Sequence, residues 1–328
     1  MVLKRPRADV GASARPPTSP VAPVLPHAMA HAAPPPIPHP PPIAHPPPVS
    51  QGSEPTSGAP PVSPGPAQPQ AGFPEPPAAP PLSRDDEMER ARYIVAGLLP
   101  STPPRVAGFD IAVFSQSRHV VGGDYFDFVP LADGRLAIAI ADVSGKGLAA
   151  AMIMVRLREI VHGVLAHLTT AGEAVAMMNA RLADSMPRGT FITFLLALLD
   201  PRSRELRAVN AGHCAPMVWR ARLTGVRLLP LRGPALGLLG PERFAQAVGE
   251  RVVALESGDC LCVFTDGVLE ARNPGGEEFG ATRLAAALRR HAGRPAREIA
   301  DGIVAEVEGH MLPAPQHDDM ALIVLKAL

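Results

Sequence analysis

Proline decides where this chain can fold. About two-thirds of its 41 prolines fall before Ser83, in a stretch with almost no periodic apolar residues. Proline lacks an amide proton and fixes its own φ. Runs such as Pro40-Pro41-Pro42 and Pro46-Pro47-Pro48 therefore favour polyproline II. A segment of this kind buries too little apolar surface to offset the entropy of ordering it. Residues 1–82 are expected to be a disordered tail. That leaves roughly 240 of the 328 residues, enough for one domain with a large core.

The remaining totals exclude several function classes. Lys+Arg and Asp+Glu balance at 31 each, and no basic block argues for nucleic acid. No run of about 18 apolar residues exists, so no membrane span is expected. Lys4, Arg5 and Arg7 are not followed by an apolar segment, so they do not read as a secretory signal. Cys214, Cys260 and Cys262 form neither a disulfide framework nor a zinc knuckle, and Cys260 and Cys262 share one face of an apolar strand. The expected compartment is a reducing cytoplasm.

From Ser83 onward the pattern changes. Ser83 can cap a helix whose first turn carries Asp85, Asp86 and Glu87, with an apolar stripe at Met88, Ala91, Val95 and Leu98. Pro100 ends it. This segment, 83–100, is expected to be a linker or regulatory helix between the tail and a domain spanning 101–328. Within the domain, strands are expected at Phe109–Gln116, Phe191–Leu199, Leu206–Val209, Ala215–Arg220, Arg251–Leu255, Cys260–Thr265 and Met320–Leu325. Helices are expected from Gly147 to about Leu168, Gly172–Ser185, Thr282–His291 and Pro295–His310. Met152 counts among the apolar residues of the first of these. Strands joined by short turns should pair antiparallel, and helices come in blocks. The expectation is an α+β domain of two packed sheets with helices outside.

Two Gly-Asp stretches bracket a hairpin. Val121-Gly122-Gly123-Asp124 and Ala141-Asp142-Val143-Ser144-Gly145-Lys146-Gly147 flank the alternating strand Arg135–Ala141, with turn formers Pro130, Asp133 and Gly134 before it. A hairpin would bring Asp124 and Asp142 to one sheet edge, where two carboxylates are costly unless a cation lies between them. Asp266 and Asp318, with Asp319 beside it, stand likewise at the ends of apolar strands. An all-oxygen cluster suits Mg²⁺ or Mn²⁺. Two such ions can activate water and clamp a phosphoryl group. The chain has no G-x-S-x-G, C-x5-R or P-loop motif to suggest a different phosphoryl or acyl chemistry.

In order and spacing, these motifs resemble the SpoIIE-type, RsbU-like branch of the metal-dependent PPM (type-2C) serine/threonine phosphatases. The resemblance covers about Ala91 to Leu328. It rests on Leu98-Leu99-Pro100, the two Gly-Asp stretches, Asn210-Ala211-Gly212-His213, Leu236-Gly237, Thr265-Asp266-Gly267-Val268 with Glu270-Ala271-Arg272-Asn273, Phe279-Gly280 and Asp318-Asp319-Met320. It implies an αββα sandwich with a centre for two Mn²⁺ or Mg²⁺ ions. Asp142 would bridge the ions and Val143 would offer its carbonyl. Asp124, Asp266 and Asp318 or Asp319 would complete the shells. Ser144, Gly145, Lys146, Gly147 and His213 would be candidates for holding substrate, and Tyr125, Phe126 and Asp127 for support. The chain departs from the family at Val95, Cys214 and Ala321, where Gln, Pro and Thr are common.

The implied activity is hydrolysis of phosphoserine or phosphothreonine, with a phosphorylated STAS-type anti-anti-sigma protein as substrate in a partner-switching circuit. A regulatory partner would dock on residues 1–82 or on the helix at 85–98, and the chain could pair as a homodimer. Two rivals remain. One is a pseudophosphatase that kept the fold as a binding module. The other is a different two-metal enzyme acting on phosphodiesters.

Overall fold

The computed structural model describes residues 83–118, 121–167, 170–183 and 186–328. The tail expected over 1–82 lies outside them. The described chain begins with α1 (Arg84–Leu98). Ser83 and Asp86 form a reciprocal capping box, the Ser83 hydroxyl accepting from the Asp86 amide at 3.1 Å. Met88, Ala91, Val95 and Leu98 are the half-buried residues of this helix, as the stripe required, and none is fully buried.

Two five-stranded sheets follow, each antiparallel throughout. One is ordered β1 (Phe109–Gln116), β10 (Met320–Ala327), β9 (Cys260–Phe264), β6 (Met217–Arg220), β7 (Gly225–Leu228). The other is ordered β2 (Tyr125–Pro130), β3 (Leu136–Val143), β4 (Ile192–Asp200), β5 (Glu205–Ala211), β8 (Glu250–Ala254). Long-range pairing dominates, since β1 and β10 are neighbours although some two hundred residues separate them.

Alternation along the strands gives each sheet two apolar faces. The inner faces meet: Phe126, Ile138, Ile140, Leu195 and Leu199 of one sheet pack with Leu261, Val263, Ile323 and Leu325 of the other. The opposite face of the β3 sheet, with Ala137, Ala139 and Ala141, takes α2 (Gly147–Leu165) and α3 (Ala171–Ala183). The opposite face of the β10 sheet, with Cys260, Cys262 and Val324, takes α6 (Gly280–His291) and α7 (Ala296–Met311). The result is the expected αββα sandwich. Small alanines on β3 admit α2 closely, while branched residues fill the inter-sheet space.

Several local expectations change. Met152 is 62% exposed, and the buried side of α2 runs instead through Ala151, Met154, Leu157, Val161 and Val164. The second long helix runs Ala171–Ala183 rather than 172–185. Leu168 and Ser185, the expected ends of these two helices, lie outside the described residues. Asp266-Gly267 does not simply close β9; it opens a one-turn helix, α5 (Asp266–Leu269). The short strand β7 and the helix α4 (Pro241–Ala247) were not legible, because each is too brief to show a period. Among the described residues no helix is long and apolar enough to cross a membrane.

The layered packing makes a direct test. Leu157 of α2 is fully buried against the β3 sheet. Leu157→Ala should destabilise the domain by about 2–5 kcal/mol. Urea unfolding should show this as a lower midpoint with an unchanged slope.

Candidate metal centre

The β2–β3 ladder pairs Tyr125 with Ala141, so the next residues outward, Asp124 and Asp142, face each other beyond it. Val143 donates its amide to Gly123 at 3.4 Å and closes that end. The other sheet presents its own ends at the same place. The Thr265 amide, just past β9, bonds to the Ala321 carbonyl at 3.0 Å. The Ala321 amide returns a bond to the Thr265 hydroxyl oxygen at 2.9 Å. That hydroxyl donates to Asp124 Oδ2 at 2.9 Å, joining the two sheets through fully buried polar groups. Asp266 follows Thr265, and Asp318 and Asp319 lead into β10.

The two adjacent aspartates have different surroundings. Asp319 is spent on the backbone: Oδ1 accepts the Arg118 amide at 2.7 Å and Oδ2 the Gly123 amide at 3.0 Å. This clamp holds the β1–β2 connection against the entrance to β10. Gly122 and Gly267 pack so closely on Asp319 that a Cβ at either would overlap it. Asp318 faces outward, with Oδ1 accepting the Asp319 amide at 3.0 Å and Oδ2 lying 3.5 Å from Lys146 Nζ.

The remaining candidates are also placed. Lys146 occupies the N-cap of α2 without a side-chain cap bond, and Gly145 and Gly147 beside it both have positive φ. Their amides lie at the positive end of the helix dipole. Ser144 is pinned to the strand that leads to β4: its hydroxyl oxygen accepts the Phe191 amide at 2.9 Å. His213 is buried, with Nδ1 2.9 Å from the hydroxyl of Thr193, the residue paired with Asp142. Burial pushes its pKa down to about 4, so it is neutral at neutral pH. Asp127 accepts from the Tyr125 hydroxyl at 3.1 Å and lies 2.7 Å from His162 Nε2 of α2. Tyr125 and Phe126 belong to the two cores, so all three act as support.

Burial first, then neighbouring carboxylates, raise the proton affinities here. Asp142 is pushed up to about 7, by desolvation and then by Asp266, Asp318 and Asp319. Desolvation and then Asp142 drive Asp124 well above the usual range. Asp266 and Glu270 move the same way. Glu270 and Thr265 are members of this site that were not assigned a role from sequence; both lie inside a motif the resemblance used.

Among the described residues, no three His, Cys, Asp or Glu groups are placed to share one ion. Asp124 is turned to Thr265 and Asp319 to backbone amides. The donor chemistry still fits a hard divalent cation: oxygen atoms only, several converging negative charges, and the Lys146–Asp318 contact as the one ion pair these aspartates make. Such a cation would relieve the repulsion that the raised affinities register.

An αββα sandwich with carboxylates gathered at one end of its sheets is the architecture of PP2C-type domains. The SiaA-PP2C domain of Pseudomonas aeruginosa has a similar structure, with a TM-score of 0.62 at 24% identity over 74% of this chain and 95% of that one. The family model described as Stage II sporulation protein E (SpoIIE) matches residues 132–328, and the chain belongs to that family. The match includes Asp142, Asp266 and Asp318; Asp124 lies just before it. Protein IcfG of Synechocystis is 29% identical over 269 residues, which cover 73% of this chain and 41% of IcfG. The chain thus spans less than half of that relative. Phosphoserine phosphatase RsbU of Bacillus subtilis is 26% identical over 245 residues, covering 73% of this chain and 70% of RsbU.

The raised affinity of Asp142 carries a prediction. Between 3.8 and about 7 the folded state holds a proton at Asp142 that the unfolded chain releases. This contribution therefore lowers stability as pH rises through that window. His213 acts oppositely between about 4 and 6.5, because its folded affinity is depressed. In chelator, Asp142→Asn should therefore melt higher than the wild type at pH 7, with the gap closing towards pH 4. Adding Mn²⁺ at pH 7 should raise the melting temperature of the wild type more than that of the variant. Melting curves across that range check both.

Proposed function

We propose that this chain is a divalent-metal-dependent protein phosphatase acting on phosphoserine or phosphothreonine. The observation that carries the reading is the meeting of Asp124, Asp142, Asp266 and Asp318 from both sheets at one end of the sandwich. The naming of RsbU as a phosphoserine phosphatase supports it.

The residues that would hold Mn²⁺ or Mg²⁺ are Asp124, Asp142, Asp266, Asp318 and the carbonyl of Val143. When bound, such ions supply Lewis-acid charge and make water nucleophilic at neutral pH. The protein's own part is placement. Thr265 orients Asp124 across the sheets, and Asp319 acts as the clamp that fixes the loop carrying Asp124. Lys146 and the amides of Gly145 and Gly147 present positive charge where a phosphoryl group would arrive. Ser144 anchors that loop. His213, buried and bonded to Thr193, would position the strand beside Asp142.

The substrate in this reading is a phosphorylated STAS-type protein of a partner-switching circuit in the cytoplasm. The similarity to RsbU and to the structure of the RsbU and RsbW domains of Rv1364c from Mycobacterium tuberculosis supports that context. The outer face of α1 exposes Tyr93 and Ile94, which suits a regulatory partner or a second copy of the chain.

Asp142→Ala should retain a cooperative melting transition and lose nearly all Mn²⁺-dependent phosphate release from a phosphoserine protein. Colorimetric phosphate assay with and without chelator decides it. Normal turnover by the variant would overturn the mechanism, and an inert wild type would leave the pseudophosphatase reading.

A further inference from the structure

Sheet order places β1, β7, β2 and β8 at the four sheet edges. Three are short: β7 has four residues, β8 has five, and β2 has six and ends in Pro130. β1 has eight residues and no proline. Its one charged residue, Asp110, is occupied by the first amide of α7, at 2.7 Å from Ala296 N. A long edge without proline or free charge is a template for another strand.

The register identifies the free groups. Leu328 donates to the Gly108 carbonyl at 2.9 Å, so even-numbered residues of β1 exchange bonds with β10. Antiparallel alternation then points the amides and carbonyls of Ile111, Val113 and Ser115 away from the sheet. None of the three makes a backbone bond outside the β10 ladder among the described residues. In front of Val113 and Ser115 lies a groove of about 570 Å³, walled on the far side by the end of α1 and Leu99-Pro100. Its charged lining residues are Arg92 and Arg297 and include no carboxylate. Arg297 shares its guanidinium with Asp301, whereas Arg92 makes no ion pair among the described residues.

The groove leads to the carboxylate centre. Ser117 lines its end, and the next residue, Arg118, donates its amide to Asp319. Ser115 and Arg118 are three positions apart, at most about 10 Å of extended chain.

We propose that the open edge of β1 takes an extended, acidic segment of the phosphoprotein substrate as a sixth strand, delivering its phosphorylated side chain to the carboxylate centre. This rests on the phosphatase reading above. Charge selects the occupant: a second copy paired edge to edge would set Arg92 and Arg297 against their own equivalents, whereas an acidic segment complements them. Backbone bonds to the edge would supply affinity with little demand on sequence, and the arginines would supply the preference for acidic neighbours.

The test uses the full chain with Mn²⁺ and three probes. These are a phosphoserine peptide of about a dozen residues flanked by Glu and Asp, the same peptide with N-methylated backbone amides, and p-nitrophenyl phosphate. The wild type should prefer the unmethylated peptide by about tenfold in kcat/KM, the worth of one or two backbone bonds. Ser115→Pro removes one outward amide and leaves the β10 ladder intact; Arg92→Glu reverses the groove charge. Each should lower peptide kcat/KM by about tenfold while p-nitrophenyl phosphate turnover holds within about twofold and the melting temperature is unchanged. Equal use of both peptides by the wild type would overturn the proposal, and that arm needs no variant to fold. So would a peptide response to Arg92→Glu with none to Ser115→Pro. If nothing is hydrolysed, the phosphatase reading fails separately. Fluorescence anisotropy of the labelled peptides then decides docking: weaker binding on methylation supports it, and equal binding overturns it.

Discussion

Repulsion among converging carboxylates is the constraint around which this domain is built. Asp124, Asp142, Asp266 and Asp318 come from different strand ends; Asp142 raises the cost of ionising Asp124, and Asp266 and Asp318 raise that of Asp142. Nothing local would keep them together. What does so is the packing of two sheets through Ile138, Ile140, Leu195, Val263 and Ile323, reinforced at the charged end by Thr265 bonding to Asp124. A hydrogen bond from a fully buried hydroxyl to a buried carboxylate is strong because no water competes for it. The inter-sheet core therefore holds the site under electrostatic load, and a cation would remove the load rather than create the fold.

The same arrangement ties the site to helices that carry no ligand. Asp142 and Val143 end β3, and four residues later Gly147 starts α2. Further along α2, Arg158 donates to the Leu98 carbonyl at the end of α1, at 3.0 Å. His162, one turn on, bonds Asp127 of β2. Leu99 packs against both the α2 core and the inter-sheet core. The end of α1 is thus bonded to α2, and α2 begins beside the carboxylates.

Much of this was legible because the governing patterns are long or chemically distinctive. The stripe on α1 and the alternation in β3 each span several periods, and they placed the elements within a few residues. Aspartates at strand ends, next to or near glycine, single out Asp124, Asp142 and Asp266 without any knowledge of the partner strands. What stayed hidden depends on contacts between distant segments. No local signal distinguishes Asp318 from Asp319; the difference arises because Asp319 meets the amides of Arg118 and Gly123, some two hundred residues earlier. Sequence left His213 open between a substrate contact and a structural residue of a glycine loop; the contact of its Nδ1 with Thr193, twenty residues earlier, depends on the fold. Met152 reads as core by composition, but the helix rotates it to solvent because Ala151 and Met154 fit the alanine face of β3 better.

The pairing of Asp318 and Asp319 shows why two adjacent acids are useful here. A carboxylate that offers an oxygen at the mouth of a site must keep that oxygen free of backbone bonds, yet the loop that carries it must be rigid. One residue cannot satisfy both demands. Asp319 gives up both oxygens to amides and so fixes the β1–β2 connection, including the loop before Asp124. Asp318, whose Oδ1 takes the Asp319 amide, keeps Oδ2 turned outward, where Lys146 is its one ionic partner among the described residues. Gly122 and Gly267 are then required by the closeness of the clamp, since a side chain at either would push Asp319 away. Rigidity at one acid is what permits availability at the next, and the two glycines are the steric condition for both.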